Sequence, residues 1–227
     1  MKLRLIDLNP DVVAAWRVAF ADHPEVEILQ ASILDVATTA VVSPANSHGF
    51  MDGGVDRVYL ARFGPQLQDR VREMIHRRPE EMLPVGAAEL VATRDPNIPW
   101  LIVAPTMETP GAVPAMNAGR AFAAVLRLAN RHPELGEICC PGLCTGVGQV
   151  SPADSAEFME GSYTNWKRAK QVTHGPFRRR RDRMVLEPNR PSIRCMKTSR
   201  VNLQSKPWRP ASLMVQTRKV AQRCKKK

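Results

Sequence analysis

Trp100 to Ala104 is a nearly continuous apolar run, Trp-Leu-Ile-Val-Ala. A run that short without polar alternation fits a strand covered on both faces, so the fold must supply helices on either side of its sheet. Thr39 to Ser43 reads as a second buried strand, and Leu3 to Leu8, Val26 to Leu29, Ala87 to Thr93 and Ile138 to Cys140 read as four more. Helical patterns lie between them. One is opened by Asn9-Pro10-Asp11 and runs to about Ala21. Val55 to Phe63 and Gln66 to Ile75 are separated by Gly64-Pro65, Pro114 to Arg131 carries Ala121, Val125 and Leu128 on one stripe, and a last helix starts near Pro152. Strands alternating with helices predict a layered α/β domain with a mixed, mostly parallel sheet.

The chain divides by charge. Residues 1 to 164 hold 13 Lys or Arg against 20 Asp or Glu, a net of −7, whereas residues 165 to 227 hold 20 against 2, a net of +18. The overall charge of +11 therefore belongs to the tail. We expect one domain over about residues 1–166 and a basic extension, 167–227, that stays disordered, because its apolar residues are scattered and Pro and Arg interrupt every candidate element. Arg178 to Arg181 and Lys225-Lys226-Lys227 could neutralise phosphates of RNA or DNA. With few aromatics and no recognisable module, such contact is expected to be weak and unspecific. An extension foreign to the fold, such as the product of a shifted reading frame, fits the same composition.

Cys139, Cys140, Cys144, Cys195 and Cys224 are an odd number without the density of a secreted scaffold, which points to a reducing, cytoplasmic setting. Adjacent Cys139 and Cys140 in a strand face opposite ways and the paired spacings of zinc sites are missing, so no metal or cofactor is expected. No stretch is long enough to cross a bilayer, and the N-terminus has no signal-peptide core.

Chemistry concentrates in two glycine-rich loops. In VSPANSHGFMDGGVD, residues 42–56, an apolar run ends in Asn46, and Gly53-Gly54 with Asp56 opens a helix. In PGLCTGVG, residues 141–148, three glycines follow a strand. Such loops let backbone N–H groups wrap a phosphate and aim a helix N-terminus at it. Both follow strands and precede helices, which brings them together at the carboxyl ends of the sheet, the usual crevice of open α/β folds.

Ala45, Asn46, Gly53, Gly54, Val55 and Asp56 stand at the spacing of the first ligand loop of the macro domains, and the first loop resembles it. The second resembles that family's phosphate loop, where a Thr-Gly pair and a following Gly recur. APTMETP, LPVGAAELVATRD and FGPQLQDRV extend the resemblance to a phage and bacterial branch, over roughly the first two thirds of the chain. The resemblance implies a three-layer macro fold with a basic C-terminal extension, binding ADP-ribose or a derivative. It assigns ligand contact to Ser32, Ala45, Gly53, Gly54, Val55, Gly142, Cys144, Thr145, Gly146, Val147 and Gly148. It also implies that Asn46 and Asp56 hold the distal ribose and activate water, to remove an O-acetyl group or an ADP-ribosylated side chain. A non-catalytic reader, an ADP-ribose 1''-phosphate phosphatase and a nucleic-acid-associated protein acting through its tail are the alternatives.

The chain departs from the family pattern at Ala31-Ser32-Ile33, where many members carry an Asp that grips the adenine amine; an uncharged Ser32 implies weaker adenine selectivity. Cys144 stands where Gly or Ser is common, and Gln149-Val150 replaces an aromatic. At the ordinary carboxyl pKa of ~3.9, Asp56 is a weak base, which favours polarising a water over taking its proton; simple capping of the following helix is the bland reading. Ser47, His48 and Asp52 contain the residue types of a nucleophilic triad, but neighbours in one loop seldom adopt its geometry.

Overall fold

The computed structural model describes residues 1–174, so the expected disordered extension and its basic runs lie outside the described residues from 175 onward. The strands are β1 (Lys2–Asp7), β2 (Val26–Gln30), β3 (Ala40–Ser43), β4 (Glu89–Ala92), β5 (Trp100–Val103) and β6 (Glu137–Cys140). The helices are α1 (Pro10–Ala19), α2 (Ile33–Val36), α3 (Gly54–Phe63), α4 (Gln66–His76), α5 (Met116–Arg131) and α6 (Pro152–His174). One sheet has the order β2-β1-β6-β3-β5-β4, parallel throughout except for β4, which pairs antiparallel with β5.

Alternation along the strands sorts side chains into two cores. Leu3, Leu5, Ala40, Val42, Ile102, Ile138 and Cys140 pack toward α1, α5 and α6. Ile6, Val41, Leu101, Val103 and Cys139 pack toward α2, α3 and α4. These are the three layers that the doubly covered strands require, and the adjacent cysteines enter opposite cores as the pleat dictates. Among the described residues no helix is long and apolar enough to cross a membrane.

Local chemistry explains where the helices begin. Asn9 accepts the Asp11 amide at 2.9 Å while Pro10 occupies the first helical position, so α1 starts with a side-chain cap and a preset φ. Ser151 accepts the Asp154 amide at 3.1 Å and donates to its carboxylate at 2.7 Å ahead of α6. Helix α6 runs through Trp166, where composition placed the end of the domain. Lys167 pairs with Glu25, and His23 Nε2 lies 2.9 Å from Glu160, so this part of the helix is fastened to the segment between α1 and β2. The one-turn helix α2 and a 3-10 turn at Pro133–Leu135 add to the expected elements.

Candidate functional site

Four neighbouring strands end at one cleft. Asp7 closes β1, Pro44 and Asn46 follow β3, Thr106 and Met107 follow β5, and Pro141 and Gly142 follow β6; with the first turn of α3 they border a volume of about 450 Å3. Ser32, Asn46, the Gly53–Asp56 turn, Gly142 and the Cys144–Gly148 segment all line it, so the two loops meet across the cleft. Ala45 is the exception. It is buried in the core beneath the cleft beside Val41, as strand alternation directs, and contributes its carbonyl to the Thr106 amide at 2.9 Å.

Asn46 shapes the first loop from within. Its Oδ1 accepts the amides of His48 (3.1 Å) and Phe50 (3.2 Å), and its Nδ2 donates to the Phe50 carbonyl at 2.7 Å. An amide nitrogen has two hydrogens, so one is left after the bond to Phe50. The serine, histidine and aspartate of this loop do not form a triad. The Ser47 hydroxyl is buried and donates to the Met107 carbonyl at 3.3 Å, and His48 does not line the cleft.

Asp56 sits in the first turn of α3 but is not its cap: that position is Gly53, without a side-chain hydrogen bond. The residue is only 6% exposed, and its Oδ1 has no hydrogen-bond partner. Burial pushes its carboxyl up to about 7, against a smaller downward pull from the Ser43 hydroxyl. A helix N-terminus favours an anion, but here desolvation wins. The ordinary carboxyl pKa expected from sequence therefore does not apply, and Asp56 can act as a proton acceptor near neutrality.

The second loop is held from several sides. Asp7 Oδ2 accepts the Gly142 amide at 2.9 Å while its Oδ1 accepts the Asn9 amide at 2.9 Å, tying the loop to the turn after β1. A Cβ on Gly142 would lie 2.6 Å from Thr145 Oγ1 and 2.8 Å from Asp7 Oδ2, and one on Gly148 would lie 2.6 Å from the Cys144 carbonyl oxygen. At Gly148 the obstacle is backbone and glycine is required for close approach, whereas at Gly142 a side chain would displace Thr145 and the Asp7 carboxylate. Ser155 of α6 donates to the Leu143 carbonyl at 2.7 Å, and Val150 closes the loop by donating to the Cys144 carbonyl at 3.0 Å. Cys144 itself adopts a left-handed φ of 65°, and burial pushes its thiol up to about 11, which favours the neutral thiol over the thiolate. Asp7 is a site residue that no sequence motif marked, its available signal being an acid closing the first strand, and Thr106 lies in the APTMETP segment without having been assigned a role.

No Lys or Arg is among the cleft-lining residues, whereas Asp7, Asp52 and Asp56 are. An anion here would rest on backbone N–H groups and helix ends, not on salt bridges. Ser32 caps α2 by position but makes no capping bond with its side chain, so its hydroxyl is uncommitted to the helix.

The sequence model of the Macro domain matches residues 42–159, a span that contains both loops. Among curated relatives, an uncharacterized protein of Aquifex aeolicus (strain VF5) is 34% identical over 137 residues, 60% of this chain and 78% of the relative. An uncharacterized protein of Aeropyrum pernix is 36% identical over 124 residues, covering 53% of this chain and 61% of that one. Among solved structures, the macrodomain of Mycobacterium tuberculosis DarG superposes with a TM-score of 0.52 at 18% identity, over 60% of this chain and 87% of that one. That last similarity is one of fold.

Proposed function

Because this chain belongs to the macro domain family, we propose that it binds ADP-ribose or a close derivative across the two loops and hydrolyses a bond at the distal ribose. The leaving group is an O-acetyl group or an ADP-ribosylated side chain. The observation that carries the hydrolytic part is Asp56: a buried carboxylate at the cleft, with one oxygen unpartnered and its pKa raised to about 7. Ionised, it takes a proton from the attacking water; protonated, it can return that proton to the departing oxygen. Asn46 holds the loop that presents Asp56 and offers its remaining amide hydrogen to a ribose hydroxyl. The Cys144–Gly148 loop takes the pyrophosphate.

Titration calorimetry with ADP-ribose, AMP and ribose 5-phosphate tests the ligand. ADP-ribose is expected to bind more tightly than AMP, because the pyrophosphate and the distal ribose make most of the contacts. Equal affinities, or no binding of either, would remove the assignment. Protein that binds ADP-ribose yet turns over neither O-acetyl-ADP-ribose nor an ADP-ribosylated carboxylate would be a reader.

Gly146→Glu separates binding from folding. A Cβ at Gly146 meets nothing within 4 Å, so the substitution is expected to leave the melting temperature unchanged. It places a carboxylate where the phosphates lie, and ADP-ribose binding is expected to disappear from the calorimetric trace.

A further inference from the structure

A second pocket lies at the opposite end of the sheet, and it is built of arginines. Helix α3 starts at the cleft and ends at Phe63, while β4 runs antiparallel to β5 with Ala92 opposite Trp100, so the turn after β4 extends past the amino end of β5. Four residues of strand span about 13 Å between the two ends. Arg62 from α3, Arg70 from α4, and Arg94 and Asp95 from the turn after β4 border a pocket of about 260 Å3.

The groups are fixed in place. Arg62 Nη2 pairs with Asp95 Oδ2 at 3.0 Å. Arg70 Nε donates to the Ala92 carbonyl at 2.9 Å and its Nη2 to the Thr93 carbonyl at 3.0 Å. Asp95 Oδ1 accepts the amides of Asn97 (2.8 Å) and Ile98 (3.0 Å), and the Thr93 hydroxyl accepts the Asp95 amide at 3.1 Å. Burial pushes the Asp95 carboxyl up, but these amides and Arg62 outweigh it and hold it below the ordinary range. Arg94 is different. It is exposed, pairs with no carboxylate among the described residues, and has a left-handed φ of 68°. Backbone of that kind in a residue other than glycine persists where its surroundings over-determine it. Burial, and then the charge of Arg94, push the Arg70 guanidinium below its usual value, against a smaller upward pull from the neighbouring Asp69 carboxylate.

Three guanidiniums face two carboxylates, Asp95 in the lining and Asp69 beside Arg70, which leaves an excess of positive charge centred on the unpaired Arg94. We propose that this pocket binds a phosphoryl dianion, as inorganic phosphate or as a phosphate monoester, at a site separate from the cleft. A phosphate monoester carries a charge of about −1.5 to −2 at pH 7, opposite in sign to the excess, and guanidinium forks suit its oxygens. The two ends of the domain then use different chemistry for anions: backbone amides in the cleft, fixed side-chain cations here.

Amide-resolved NMR titration of the full chain tests this, because phosphate meeting the basic extension is then read at different residues. Inorganic phosphate and phosphoserine are each titrated against sodium chloride of matched ionic strength. Saturable shifts are expected at Gln66, Arg94 and Asp95 with at least one phosphate and not with chloride; the tighter of the two identifies the free anion or the monoester as the ligand. Arg94→Glu is expected to weaken this binding at least tenfold while leaving the shifts of Gly142 and Thr145 with ADP-ribose unchanged, or, if the cleft binds no ADP-ribose, leaving the amide spectrum of the folded domain unchanged. Shifts confined to the cleft or the extension, shifts reproduced by chloride, or an unchanged phosphate affinity in Arg94→Glu would each overturn the proposal.

Discussion

Asp56→Asn is expected to lower turnover of O-acetyl-ADP-ribose or an ADP-ribosylated carboxylate by about 10²–10⁴-fold, the usual contribution of a positioned base, while affinity for ADP-ribose changes little. In the unsubstituted protein kcat/KM should rise with pH through about 7, as Asp56 loses its proton. The same carboxylate makes a second, opposite effect on stability. Its pKa is raised from 3.8 unfolded to about 7 folded, so the folded state holds the extra proton between those values and stability falls as pH rises through that window. Above pH 7 the full difference applies, on the order of 4 kcal/mol at 1.36 kcal/mol per pKa unit; below 3.8 it vanishes. Asp56→Asn should therefore raise the denaturation midpoint at pH 8 and leave it nearly unchanged at pH 4. An inactive variant with no gain at pH 8 would show that Asp56 ionises normally in the folded protein. A fully active one would remove it from the mechanism.

Gly119→Val is expected to destabilise the domain by about 3 kcal/mol, at the upper end of ordinary overpacking. Gly119 lies where α5 crosses α6, and a Cβ there would stand 2.7 Å from the Phe158 carbonyl oxygen and 3.0 Å from Ser162 Oγ. The first of these is backbone, so no rotamer change relieves it, and the Ser162 bond to the Gly119 carbonyl at 2.9 Å is lost if the helices part. Replacing glycine by valine inside a helix recovers only about 0.5 kcal/mol of propensity, less than the collision costs. Because α6 also holds Leu143 through Ser155, ADP-ribose affinity should fall together with the denaturant midpoint. Ser162→Ala removes the hydrogen bond without the collision and should lower stability by no more than about 1.5 kcal/mol. If Gly119→Val matches the unsubstituted protein in both measurements, the close crossing is not what holds α6 in place.

The strands are legible in the sequence because their patterning is local: Trp100–Val103 and Ala40–Ser43 are apolar on both faces and lie between helices on both faces. Helix α2 is not, since Ile33–Val36 is too short to display a period. The position of Asp56 is legible but its environment is not. Gly-Gly-Val-Asp reads as a ligand loop opening a helix, with nothing local to show that its acid is buried; α3 packs on β3, where the Tyr59 hydroxyl donates to the Val42 carbonyl at 3.0 Å. Asp7 and Gly142 are 135 residues apart, and no local pattern announces that one will hold the other. Charge counting sets Lys167 with the extension because a paired lysine and a solvated one look alike in a sequence; its contact with Glu25 is tertiary.

The strand order constrains when a site can exist during synthesis. Strand β6 is the last of the six to leave the ribosome, yet it occupies the gap between β1 and β3. Until Glu137–Cys140 has emerged, β1 and β3 each present an edge with unpaired backbone groups, and the loop that follows β6 has not been made. Open edges of that kind are templates for mispairing, and contacts across such long separations form slowly. A ligand held by both loops can therefore stabilise only the assembled domain: added to a weakened variant it can restore folding, but it has nothing to hold until the loop after β6 has been made.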